Sequence, residues 1–183
     1  KEDGVSALMI AACNGHASVV EVLLGDERVD RNIVRKEDGF TALMIAAENG
    51  YASVVKVLLG DERVDRNIVD KKYGDTALML ATCKGHASVV EVLLGDERVD
   101  RNIVHKEYGS TALMLAAGNR HTSIVEVLLG DERVDLDLIN NERHTIADIA
   151  SESTSISKLL HAAPRYAEAL AQARADAEAK ADA

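Results

Sequence analysis

Apolar residues along this chain gather in pairs of short clusters, each pair followed by a polar stretch, and the program recurs every 35 residues. After Gly39, the residues Ala42, Leu43, Ile45, Ala46 and Ala47 fall at helical spacing, and Thr41 stands where its hydroxyl can cap the helix they predict. Asn49-Gly50 ends that helix, since glycine adopts a positive φ at little cost. A second helix is predicted over about 52–59, with Val54, Val55, Val57, Leu58 and Leu59 apolar and Gly60 at its end. The stretch from Asp61 to Lys72 carries Val64, Ile68 and Val69 but no helical period, and it predicts an extended finger that turns back toward the next unit.

The recurrence is close to literal. Gly4, Gly39, Gly74 and Gly109 open equivalent segments, and the string G-D-E-R-V-D begins at Gly25, Gly60, Gly95 and Gly130. A period between 20 and 50 residues is the signature of a solenoid, in which a unit hides its apolar face only against its neighbours. Helices this short are not stable alone, so stacking must supply their burial. The expected fold is therefore all-α, a solenoid of helix-turn-helix repeats with protruding loop fingers. Its units are about 1–38, 39–73, 74–108 and 109–142. A capping unit follows over 143–163, where Ser151, Ser153, Ser155, Ser157 and Lys158 make one side wettable. From 164 to 183 the chain is Ala-rich with high helix propensity, and Tyr166 and Leu170, at i and i+4, could dock this tail to the last unit.

Composition narrows the function classes. Aromatics are only 3% and Trp is absent, which suits thin layers of Ala, Val, Leu, Ile and Met rather than a large globular core. A net charge of −10 argues against a nucleic-acid partner, because phosphate binding needs a basic face. Cys13 and Cys83 occupy the same place two units apart, roughly 20 Å at ordinary helix spacings, beyond the reach of a disulfide. The longest apolar run, Ala7 to Cys13, is too short for membrane insertion. With no sequon and nothing that reads as a signal peptide, an intracellular, cytoplasmic setting is expected. The chain opens mid-repeat at Lys1, which reads as a piece of a longer array.

The string G-x-T-A-L-M-x-A-A-x-N-G-x-x-x-V-V-x-V-L-L, followed by V-D-x-N, resembles the ankyrin repeat over residues 1 to about 162. Two departures stand out. The family's T-P-L-H reads T-A-L-M here, with Met9, Met44, Met79 and Met114 in place of the usual His, so the family's Thr–His hydrogen bonds are absent at a cost in stability. The unit is also about two residues longer than the common form, which implies a longer finger. Arg143 stands where the fifth unit would have Gly, and T-I-A-D-I-A resembles the family's closing repeat.

No nucleophile elbow, phosphate loop, zinc-protease motif or C-x-x-C pair occurs. Acidic residues recur with the repeat instead of converging, and a catalytic site needs convergence, so no enzyme is expected and no cofactor is implied. His16, His86 and His121, with Tyr51 in the same slot, are a repeat apart and cannot share a metal; they read as ties from the inter-helix turn to its surroundings. Asn32, Asn67 and Asn102 in V-D-R-N read as side chains bonded to turn backbone. The resemblance adds that such an Asn can be hydroxylated, except that the fourth unit has Asp137 there.

The expected partner is a protein or peptide. Units differ most at the finger tips, Arg35, Asp70, His105 and Asn140, and around the Gly and the end of the first helix. In ankyrin-like folds those positions line a concave groove. Carried over, the groove takes Phe40 and Glu48 from unit two, Lys72, Tyr73, Asp75, Cys83 and Lys84 from unit three, and Tyr108 and Ser110 from unit four. Phe40, Tyr73 and Tyr108 are three of only five aromatics in the chain. Either they cover the base of the finger or they anchor a partner; the anchor is the reading carried forward. The alternatives are a structural or designed self-assembling repeat, with self-association through the uncapped N-terminal unit, and the substrate-recruiting part of a larger protein.

Overall fold

The structure is a computed structural model and describes residues 4–168. Among the described residues, ten helices alternate in five pairs. The first helices of successive units are α1 (Ala7–Cys13), α3 (Ala42–Glu48), α5 (Ala77–Lys84), α7 (Ala112–Gly118) and α9 (Ile146–Ala150). The second helices are α2 (Ala17–Leu24), α4 (Ala52–Gly60), α6 (Ala87–Leu94), α8 (Thr122–Gly130) and α10 (Thr154–Ala162). First helices stack on first helices, second on second, and the two of a unit pack together, giving a two-layered solenoid.

Local chemistry explains the helix limits. Ser6, Thr41, Thr76 and Thr111 each accept a hydrogen bond from the backbone N–H three residues on, that of Met9, Met44, Met79 and Met114. Thr145 does the same for α9 in a full capping box with Asp148. The methionines that replace the family's histidine are almost wholly buried. Burying such a side chain contributes about 1.5–3 kcal/mol relative to leaving it exposed. The glycine after each first helix meets two demands at once. Gly50 has φ +78°, and a Cβ there would lie 2.8 Å from the His86 ring of the next unit. In unit four the same slot holds Arg120 at φ +60°; Ser153, which precedes α10 as His121 precedes α8, brings no imidazole.

The polar string after each second helix is the mortar between units. Arg31, Arg66 and Arg101 are buried. Each donates through Nε to an aspartate of the following unit, Asp61, Asp96 or Asp131, at 3.0 Å. Each also donates to carbonyls of its own loop, those of Leu24, Leu59 and Leu94 at 2.7–2.8 Å and those of Val29, Val64 and Val99. Arg63, Arg98 and Arg133 hold the same aspartates and reach back to those leucine carbonyls from the other side. Hydrogen bonds from Arg63 and Arg98, joined by Arg31 and Arg66, hold Asp61 and Asp96 well below the usual carboxylate range. Burial opposes the same shift at Asp131, but Arg133 and Arg101 prevail.

The asparagines do more than hold a turn. Asn32 donates to the Arg63 carbonyl (2.8 Å) and accepts from the Asp65 N–H (2.8 Å), both in the next unit. Asn67 and Asn102 repeat the pair one and two units on. The expected bond to turn backbone exists, but the backbone belongs to the neighbour.

The array closes differently. Leu136 takes the place of the buried arginine in unit four. Arg165 arrives from beyond α10 and donates to the carbonyls of Asp131 (2.8 Å) and Val134 (2.9 Å). Arg143 adopts φ +66°, as Gly109 does one unit earlier. Residues 164–168 are helical and Tyr166 is buried there, whereas Leu170 and the rest of the expected Ala-rich helix lie outside the described residues. No helix among the described residues is long and apolar enough to cross a membrane.

Candidate functional site

The fingers meet through backbone. The N–H groups of Lys71, Lys106 and Asn141 donate to the carbonyls of Asp38, Tyr73 and Tyr108 in the preceding finger. Every finger turn must also satisfy its own crowded N–H groups, and each unit does so with a different side chain. Asp70 accepts from the N–H of Lys72 (2.6 Å), Tyr73 (2.7 Å) and Asp75 (3.3 Å). His105 Nδ1 accepts from Glu107 and Tyr108, both at 3.2 Å. Asn140 accepts from Glu142 and His144. In unit two, Asp38 accepts from the Phe40 N–H (3.1 Å) and pairs with Arg35.

That arrangement corrects part of the expected contact set. Asp70, Asp75, His105 and Ser110 are buried and cannot meet a partner directly. Asp70 and His105 are not tips at all; they sit inside the turn because its N–H groups converge on them. Phe40 is half-buried and packed against the core, with the Arg35 guanidinium 5.5 Å from its ring centroid, so it covers the finger base. Cys83 is half-buried, and burial raises its thiol pKa; Cys13 and Cys83 are both free thiols.

The remaining expectations gather in units three and four. Tyr73 is 38% exposed and Tyr108 is 49% exposed, with His105 between them. The Tyr73 and His105 rings are stacked at 5.6 Å and 25°, and the His105 and Tyr108 rings at 4.8 Å and 22°. Lys72 lies over the Tyr73 ring, its Nζ 4.5 Å from the centroid. Lys84 is exposed at the end of α5, 3.6 Å from the half-buried Glu48 carboxylate. Beneath the row is Asp75, whose Oδ1 lies 4.0 Å from His105 Nε2 and has no hydrogen-bond partner. Burial raises the Asp75 pKa. Each of the last three fingers also exposes one aliphatic side chain, Val69, Val104 or Ile139, outside the expected contact set. Their signal was present: an apolar residue recurs beside an inward-facing Ile68, Ile103 or Leu138 in a segment with no helix to bury both.

The turn histidines act as ties. His86 Nε2 is bonded to the Glu48 carbonyl at 2.9 Å and His121 Nε2 to the Cys83 carbonyl at 3.3 Å. Each links its unit to the preceding one.

A family model for ankyrin repeats (3 copies) matches residues 8–103, and one for ankyrin repeats (many copies) matches residues 101–150. The chain belongs to the ankyrin repeat family. Ankyrin repeats are in general protein–protein interaction modules and typically non-catalytic. A search of curated proteins gives no match. In this ankyrin array the stacked row on units three and four is the place where exposed rings, cations and a fixed backbone coincide.

Proposed function

We propose that the chain is a non-catalytic scaffold whose partner, a protein or peptide, contacts the finger side and concave groove of units two to four. Tyr73, Tyr108, Lys72, Lys84 and Glu48 are the contact residues, and Asp70, Asp75, His105 and Ser110 support them from below. The observation that carries this reading is the Tyr73–His105–Tyr108 row. A buried imidazole that also accepts two backbone bonds holds two exposed rings in place. Such rings lose little freedom on binding, so more of the contact energy appears as affinity.

The units 1–38, 39–73, 74–108 and 109–142 with the cap 143–163 form one binding body in this reading. The test begins with peptides selected from a displayed random library against the native chain. Binding is then compared with the variant Y73A/Y108A. A loss of about 2 kcal/mol or more is expected, with the helical signal and unfolding midpoint retained. Peptides that bind both chains equally would remove these units from the interface.

A further inference from the structure

Away from the fingers, the second helices and the G-D-E-R turns that follow them enclose a run of open grooves. One lies between units one and two (about 820 Å³), one between two and three (about 730 Å³) and one between three and four (about 850 Å³). Neighbouring grooves share walls: Lys56, Gly60 and Glu62 line the first two, and Glu91, Gly95 and Glu97 the last two. The last groove differs in charge. Glu21, Glu91 and Glu126 hold the position that is Lys56 in unit two, so an unpaired cation borders the first two grooves and not the third. The rim of the third carries Glu91, Glu97 and Glu132, all exposed. Its lining cation, Arg133, is committed to Asp131 (2.8 Å) and to the Leu94 carbonyl (2.8 Å). Among the described residues, Glu91 and Glu132 form no ion pair or side-chain hydrogen bond. Leu94 and the half-buried Val127 give the groove an apolar base. A Cβ at Gly130 would meet nothing within 4 Å, so space is left beside them.

We propose that the groove between units three and four binds a basic peptide segment, one that carries lysine or arginine beside an apolar side chain. The cations meet the three glutamates of the rim, and the apolar side chain lies on Leu94 and Val127. Charge complementarity of this kind selects the partner and its register more than it adds affinity. A metal ion does not fit the same carboxylates, because no group of three His, Cys, Asp or Glu among the described residues closes around one ion. Separate carboxylates on a rim suit separate cations carried on one chain. The groove uses neither Tyr73 nor Tyr108, so it is a second binding surface and stands whether or not the ring row binds a partner.

The probe is a fluorescently labelled peptide of lysine and leucine, its binding to the full chain read by anisotropy. The variant E91K/E132K turns two attractions into repulsions and should weaken binding about tenfold or more. Its helical signal and unfolding midpoint should stay as they are, since neither carboxylate is bonded. Binding should survive in Y73A/Y108A. No binding by the native chain, or equal binding by E91K/E132K, would overturn the proposal. An equal loss in E37K/E107K, which makes the same charge change on the fingers, would reduce the effect to general acidity and overturn it too. A peptide of lysine and serine that binds as well as the leucine one would remove the apolar base from the site and overturn the occupant assigned to it.

Discussion

The two ends of each loop segment follow opposite rules. At the start, in G-D-E-R-V-D-R-N, the same residues make the same bonds in each interior unit, down to Arg Nε to Asp distances of 3.0 Å. At the end, in the finger turns, Asp38 with Arg35, Asp70, His105 and Asn140 solve one problem with different side chains. The contrast follows from what each end must satisfy. The first must match a neighbour on both sides, so a change in one unit breaks a bond in another. A turn needs only one acceptor aimed at its own N–H groups, and carboxylate, imidazole and amide all serve. Variation between units is therefore not by itself a mark of partner contact, and at Asp70 and His105 it is a mark of local freedom.

The sharpest way to break this contrast is R66A. It removes a buried guanidinium from Asp96 and from the carbonyls of Val64 and Leu59. Breaking a buried, hydrogen-bonded pair typically costs 3–5 kcal/mol; Arg98 remains on Asp96, so about 3 kcal/mol is expected in a urea titration. A loss below about 1 kcal/mol would mean the arginine is ornamental to stacking. N67A comes next. It deletes one bond donated to the Arg98 carbonyl and one accepted from the Asp100 N–H. At about 0.5–1.5 kcal/mol per bond, it should cost roughly 1–2 kcal/mol and loosen amides on both sides of the junction.

Much of this architecture was legible from spacing alone. Helix limits near Thr41, Asn49 and Ala52 follow from capping chemistry and apolar period, both local and read over a few residues. The role of Arg31, Arg66 and Arg101 was hidden, because a charged residue in a polar loop reads as solvated unless one knows that a neighbour's aspartate lies 30 residues on. The same distance in sequence hid the second half of the Asn32 bridge. At the candidate site, the exposed Tyr73 and Tyr108 were found by their rarity and loop position. Phe40, two residues further along its unit, was read the same way and instead packs on the core. Nothing in a single ring's sequence context says whether the side chain beside it will be an arginine that folds over it or a histidine that props it outward.

Asp75 offers the finest test, because its slot is filled by Val5, Phe40 and Ser110 in the other units and so carries no obligation to a neighbour. Its Oδ1 is buried without a hydrogen-bond partner, and burial raises its pKa in the folded chain. A carboxylate whose folded pKa lies above its unfolded one destabilises the fold at high pH, and the penalty fades as pH falls through the folded value toward the unfolded one near 4. Asn in its place has no charge to bury, so D75N should stabilise the chain by about 1 kcal/mol at pH 7, and the gain should shrink toward zero near pH 4. D96N must behave in the opposite sense. Its carboxylate is held below the usual range by Arg98 and Arg66, so its stabilisation is fully present above the unfolded pKa and is lost as pH falls through the folded value. Paired unfolding curves across pH 3–8 for D75N and D96N would separate the two ends of the loop segment by the sign of their slopes. Parallel slopes would show that position 75 is tied into the array as firmly as position 96.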